Sequence, residues 1–84
     1  MLNKINIEIY IPTIDKNYEL FIPINKTIND ILRLVGKGLN DMLGDNVINF
    51  DEGILIDKKT NKIYNNMDII KNSGLINGSK LIFV

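Results

Sequence analysis

Covalent or acid–base catalysis needs reactive side chains at matched spacing, and this chain of 84 residues contains neither histidine nor cysteine. Cys/His and Ser/His/Asp nucleophile systems are therefore excluded within it, and zinc loses its preferred ligands. Carboxylates offer the next option. Asp51, Glu52 and Asp57 cluster in sequence, but adjacent positions on an extended segment point to opposite faces, so they read as a solvated acidic stretch. Asp41, Asp45 and Asp51 lack the spacing and the closing Glu of a calcium loop. Gly36-Lys37-Gly38 has two glycines around a cation, yet no Walker pattern, and it falls inside a helical periodicity. Lys58-Lys59 is the densest basic spot and reads as the tip of a polar turn. No catalytic residue, cofactor site or metal site is expected, and the chain reads as a non-enzyme.

The elements that would position any site must come from one small domain spanning residues 1–84, near the lower size limit for unaided folding. A hydrophobic fraction of 45 % is too high for disorder. Isoleucine dominates it, which suits strands better than a helix bundle. Ten basic and ten acidic residues give zero net charge, and they are spread along the chain. A nucleic-acid binder needs clustered cations to displace counterions, so no nucleic-acid partner is expected. The N-terminal Met1-Leu2-Asn3-Lys4-Ile5-Asn6 interleaves polar and apolar residues, unlike the apolar block of a signal peptide. No apolar run approaches the roughly 20 residues that span a bilayer, and the absence of cysteine fits a reducing compartment. The expectation is a cytoplasmic protein without direct membrane insertion.

Ile5, Ile7, Ile9 and Ile11 alternate with Asn6, Glu8 and Tyr10, the period of a half-buried strand. Pro12 ends it. After a polar connection, Tyr18, Leu20 and Ile22 repeat the alternation against Glu19 and Phe21, which predicts an antiparallel hairpin. Thr27 is placed to cap a helix, with Asp30 favourable in its first turn. Ile28, Ile31, Leu32, Val35, Leu39, Met42 and Leu43 form one helical stripe, and Gly44 suits the C-cap. Gly36 and Gly38 leave two readings: close approach to a sheet, or a helix that ends near Lys37. Val47, Ile48 and Phe50 are expected to tuck under the helix. Short strands follow at 53–56 and 62–64 around a polar turn, then one helical turn at 67–72. A tight Asn77-Gly78 turn feeds a last strand, Lys80 to Val84.

Hairpin, helix, short strands, helical turn and final strand require a helix laid across a mixed sheet, because both apolar faces need cover. That order resembles the α+β β-grasp, or ubiquitin-like, fold. Leu20 and Ile22, Thr27-Ile28, and Ile31 with Val35 resemble the second strand, cap and helix core of ubiquitin. Leu75-Ile76, the Asn-Gly turn and Leu81-Phe83 resemble its last buried loop and strand. Within the superfamily, Tyr18-Glu19-Leu20 and Gly74-Leu75-Ile76-Asn77-Gly78-Ser79-Lys80-Leu81 are similar to motifs of the YukD/EsaB-type proteins. Ser79 stands where that family usually has Asp. Those proteins accompany the type VII (ESX-like) secretion systems of Gram-positive bacteria. The resemblance implies a cytosolic accessory or regulatory component that binds a secretion-machine protein or another copy of itself. An alternative is a ubiquitin or sulfur-carrier modifier. That chemistry requires an extended Gly-Gly tail, whereas the sequence ends at Phe83-Val84 within the predicted strand.

If the alternation holds, Tyr10, Phe21, Leu55, Ile82 and Val84 point away from the helix onto the open sheet face. In ubiquitin this face carries the main recognition patch. A contiguous exposed apolar patch marks a partner surface, whereas scattered surface hydrophobes need no explanation. Five large residues on one predicted face favour the patch, and with it a protein partner.

Overall fold

The computed structural model describes residues 3–44 and 49–84. The first strand, β1 (Lys4–Ile11), buries Ile5, Ile7, Ile9 and Ile11 on one face. A 3₁₀ turn at Pro12–Ile14 and a left-handed Asp15 (φ 51°) reverse the chain into β2 (Lys16–Pro23). The two strands pair antiparallel from Lys4↔Pro23 to Ile11↔Lys16.

Helix α1 (Ile28–Leu43) begins at a reciprocal cap. The Asp30 N–H donates to Thr27 Oγ1 (3.1 Å), and the Thr27 N–H donates to Asp30 Oδ2 (3.4 Å). Each bond satisfies an N–H that the helix start leaves open. The helix runs through both internal glycines and stops at Gly44, whose φ of 79° is left-handed. Gly36 explains its own presence, since a Cβ there would overlap the Phe50 ring. The helical cost of glycine, about 1 kcal/mol, is offset by closing the helix onto a buried Phe50. Nothing lies near the Gly38 Cβ position. Ile28, Ile31, Leu32 and Leu39 form the buried face, while Met42 and Leu43, expected on the same stripe, are exposed. Val47 and Ile48 lie outside the described residues.

Strand β3 (Leu55–Asp57), helix α2 (Ile70–Ser73) and strand β4 (Ser79–Phe83) complete the order. The sheet runs β2-β1-β4-β3, with β4 parallel to β1 and antiparallel to β3. Residues 62–64 do not form the predicted strand; they lie beside β3 through a single bridge, Ile56↔Ile63. The Asn77-Gly78 turn is tied to β1 from both sides. Asn6 N–H donates to Asn77 Oδ1, and Gly78 N–H donates to the Asn6 carbonyl, each at 2.7 Å. Ser79 Oγ accepts from the Ile76 N–H at 3.0 Å, so this hydroxyl closes the turn where the resembled motif has a carboxylate. The core lies between the inner sheet face and α1, with Ile7, Ile9, Ile28, Leu32, Ile70 and Leu81 almost inaccessible. Among the described residues, no helix is long and apolar enough to cross a membrane.

Candidate protein-interaction face

Residue parity sets the two faces of the sheet. Ile7, Ile9, Leu81 and Phe83 are buried, so Tyr10 and Ile82 point outward. Tyr10 pairs with Ile82 across β1 and β4, Ile82 with Ile56 across β4 and β3, and Ile56 with Ile63 beyond. Paired residues share a face. The outer surface therefore carries one transverse apolar row: Tyr10, Ile82, Ile56, Ile63. Val84 and Ile54 extend it, exchanging backbone bonds of 3.0 and 2.8 Å. Ile63 is 61 % and Val84 55 % exposed, and the other four are half-buried.

On the opposite flank runs a charged row: Glu19, Glu8, Lys80 and Lys58. Glu19 pairs with Glu8, Glu8 with Lys80, and the Lys58 N–H donates to the Lys80 carbonyl (3.0 Å). Lys58 Nζ lies over the Tyr10 ring at 5.3 Å from its centroid, a favourable placement against the ring's negative face. The Tyr10 hydroxyl donates to Asp15 Oδ1 at 2.7 Å. That bond, then desolvation and the Asp15 charge, push the phenol above its ordinary range. The ring is thus held from both ends, and it presents a fixed aromatic surface at the head of the row.

The five expected face residues divide three ways. Tyr10, Ile82 and Val84 belong to the row. Phe21 points outward and is 72 % exposed, but it pairs with Asn6, whereas Tyr10 pairs with Asn17. Four residues of strand, about 13 Å, and the charged row separate it from the patch. Leu55 is a correction: it is 2 % exposed and pairs with Phe83, so it faces the core. Three apolar residues in succession, Ile54-Leu55-Ile56, hide their phase, and the β4 register decides it. Ile54, Ile56 and Ile63 take the outward positions. Their signal was available only by continuing the pairing outward from Phe83.

The groups considered for chemistry are otherwise engaged. Asp57 accepts from the Lys59 N–H (2.8 Å), the Thr60 N–H (3.1 Å) and the Tyr64 hydroxyl (3.2 Å). Asp51 makes a loose, exposed pair with Arg33 at 3.9 Å, a geometry that contributes little. Gly36-Lys37-Gly38 lies within α1, where helical bonding commits the backbone N–H groups that a phosphate cradle would need. Among the described residues no three His, Cys, Asp or Glu side chains converge as a metal site.

No protein-family model matches the chain, and no curated protein is similar to it in sequence. Solved structures are similar in fold. The N-terminal ubiquitin-like domain of the 4931431F19Rik protein superposes with a TM-score of 0.73 at 24 % identity, covering 100 % of this chain and 76 % of that one. Ubiquitin of Caldiarchaeum subterraneum gives 0.66 at 16 % identity, with coverages of 95 % and 90 %. ATBAG1, solved in complex with HSP70, gives 0.68 at 18 % identity over 95 % of this chain and 39 % of that one. With its mixed four-stranded sheet and one main helix across it, the chain has the α+β β-grasp fold of ubiquitin-like domains.

Proposed function

We propose that the chain is a non-enzymatic, ubiquitin-like protein-binding module that holds its partner on the outer sheet face. The observation that carries this reading is the continuous apolar row Tyr10, Ile82, Ile56 and Ile63, bordered by Glu8, Lys80 and Lys58. An apolar strip with a charged rim has the anatomy of an interface, and a Tyr held by Asp15 and Lys58 loses little freedom on binding. ATBAG1, of similar fold, is a protein-binding precedent, since it was solved with HSP70.

The partner class follows from the resemblance of Tyr18-Glu19-Leu20 and Gly74–Leu81 to the YukD/EsaB type. In this reading the module is a cytosolic accessory or regulatory component of a type VII-like secretion system. Its partner is then a membrane-associated protein of that machine.

The test is capture from the native host with the wild-type chain and with Ile63→Glu/Ile82→Glu. Ile63 is exposed and Ile82, though half-buried, lies on the outer face away from the core, so the variant should melt cooperatively while losing the captured partner. Equal capture by the variant overturns the face assignment. Capture that depends on the face but contains no secretion component overturns the secretion role alone.

A further inference from the structure

The free edge of β2 lies outside the apolar row and has no role in the reading above. Its polarity can be read from one bond. The Ile24 N–H donates to the Asn3 carbonyl (3.1 Å), continuing the register Ile5↔Ile22. Even-numbered residues of β2 thus exchange bonds with β1. Asn17, Glu19 and Phe21 aim their N–H and C=O groups away from the sheet. β2 is terminal in the strand order, and among the described residues no strand or bridge lies on its outer side. Natural edges are blunted by charged side chains, proline, inward-pointing charge, bulges or brevity. From Asn17 to Ile22 this edge carries only the one outward charge of Glu19 and no proline, inward-pointing charge or bulge. Its register on β1 is unbroken, and its helix-side residues are Tyr18, Leu20 and Ile22. Phe21 stands exposed on the other side.

We infer that this edge pairs antiparallel with β2 of a second copy, about a two-fold axis passing through Leu20. Such an axis, perpendicular to the sheet, pairs residues of equal parity, which restricts the registers. With Leu20 opposite Leu20, Tyr18 meets Ile22 of the second copy, so apolar faces apolar along the helix side. On the outer side Glu19 meets Phe21, and the two Phe21 rings become diagonal neighbours at about 7–8 Å, within reach of aromatic side chains. Glu19 and Phe21 exchange both backbone bonds on each side of the axis. The Asn17 N–H then donates to the Pro23 carbonyl, and Pro23, lacking an N–H, ends the ladder.

Neighbouring registers are poorer. Centring on Glu19 opposes two like charges beside Glu8, which already pairs with Glu19 in the same sheet. Centring on Tyr18 sets Lys16 against Leu20 and Asp15 against Phe21. Centring on Phe21 brings Pro23 opposite Glu19 and shortens the ladder. The strand is therefore complementary to itself in one register, and this is why the occupant is a second copy.

Sedimentation equilibrium of the full chain, from about 10 μM to about 1 mM, should show a monomer–dimer equilibrium in this range. The chain has no cysteine, so Leu20→Cys introduces a single thiol. Directly opposed residues in a non-hydrogen-bonded antiparallel pair lie about 4.5 Å apart at Cα, within disulfide reach. Mild oxidation should yield a covalent dimer. Phe21→Lys, at an exposed position, should weaken dimerisation by about tenfold or more, equivalent to about 1.4 kcal/mol, with the melting profile of the dilute monomer unchanged. Ile63→Glu/Ile82→Glu should dimerise like the wild type, which separates the edge from the outer face. A chain that stays monomeric throughout overturns the inference, even if the edge takes up a foreign extended peptide. So does a dimer that neither cross-links through residue 20 nor responds to Phe21→Lys.

Discussion

Along β3 the outward backbone groups are answered within the chain, whereas among the described residues no strand or bridge answers the corresponding groups along β2. The Asp57 N–H donates to the Lys62 carbonyl (2.9 Å) and the Tyr64 N–H to the Leu55 carbonyl (3.0 Å). Tyr64 is buried against this edge, with Lys62 Nζ over its ring at 5.0 Å and donating to the Ser73 carbonyl at 2.8 Å. A three-residue strand has too few ladder bonds to hold itself, so packing and cover from 62–64 fix it. β2 is eight residues long, pairs along its whole length with β1, and is left open. The difference locates rigidity at one edge and binding capacity at the other.

The comparison breaks most visibly with a charge placed in each edge. Leu55→Glu buries a carboxylate against Phe83 without a partner, and an uncompensated buried charge costs about 3–5 kcal/mol. That is a large share of the about 5–15 kcal/mol that holds small domains together. Urea denaturation followed by circular dichroism should show the variant largely unfolded, or with its midpoint strongly lowered. Phe21→Glu, on the open edge, should stay within about 0.5 kcal/mol of wild type in dilute solution, as exposed substitutions do. A stably folded Leu55→Glu variant would put β3 in the other register and remove the distinction between the edges.

The same contrast governs what could be read from the residues alone. The hairpin was legible because Ile5 to Ile11 and Tyr18 to Ile22 each hold several turns of strict alternation, so both strands declare their phase. Thr27, Asp30 and Gly44 declared the helix ends by their chemistry. Gly36 alone could not say whether the helix continued, because its reason is Phe50, a residue across the core. β3 declared nothing: Ile54-Leu55-Ile56 is apolar at every position, and only pairing with Phe83 turns Leu55 inward. Tyr10, Ile82 and Val84 could be placed on the outer face from strand parity. The displacement of Phe21 from them could not, since lateral position depends on the Asn6↔Phe21 register. Ile63 joined the row through a bridge that no local pattern encodes.

Glycines sharpen the comparison at intermediate cost. The Phe50 and Phe83 rings stack at 4.7 Å with 26° between their planes. Gly36 lies against Phe50 and Gly53 against Phe83, so the stack fits between two residues that lack side chains. Gly53→Ala would drive a Cβ into the Phe83 ring beside β3, and overpacking of this kind costs about 1–3 kcal/mol. Gly38→Ala has open space around its Cβ and exchanges a poor helix former for the best one, which should stabilise by about 0.5–1 kcal/mol. Opposite shifts of the thermal midpoint are expected. Equal shifts would mean that the ring stack does not hold the closed edge.

The smallest expected effect lies in the cover of β3 itself. Tyr64→Phe removes the hydroxyl that donates to Asp57 Oδ2 but keeps the buried ring, a loss of about 1 kcal/mol. The Asp57 carboxyl is held below its ordinary range first by the Lys59 N–H and then by the Thr60 N–H and the Tyr64 hydroxyl, against opposing desolvation. A carboxyl depressed on folding stabilises the fold above its unfolded-state pKa, near 3.9, and that contribution disappears as pH falls through the folded value. Wild type should therefore lose stability as it is acidified below about pH 4. In Tyr64→Phe the loss should begin at the same pH, which the unfolded state sets, but be smaller and level off at a higher pH because part of the depression is gone; it should persist, because the Lys59 N–H is the larger cause. Burial and the Asp57 charge push the Tyr64 phenol upward, so wild type should also lose stability as pH rises through and above 10. Tyr64→Phe should remove the Tyr64 share of that alkaline loss and leave the share of Tyr10, whose phenol is also raised, and Tyr10→Phe should do the converse. An alkaline limb undiminished in Tyr64→Phe would assign it to Tyr10 and leave the β3 cover held by backbone bonds alone.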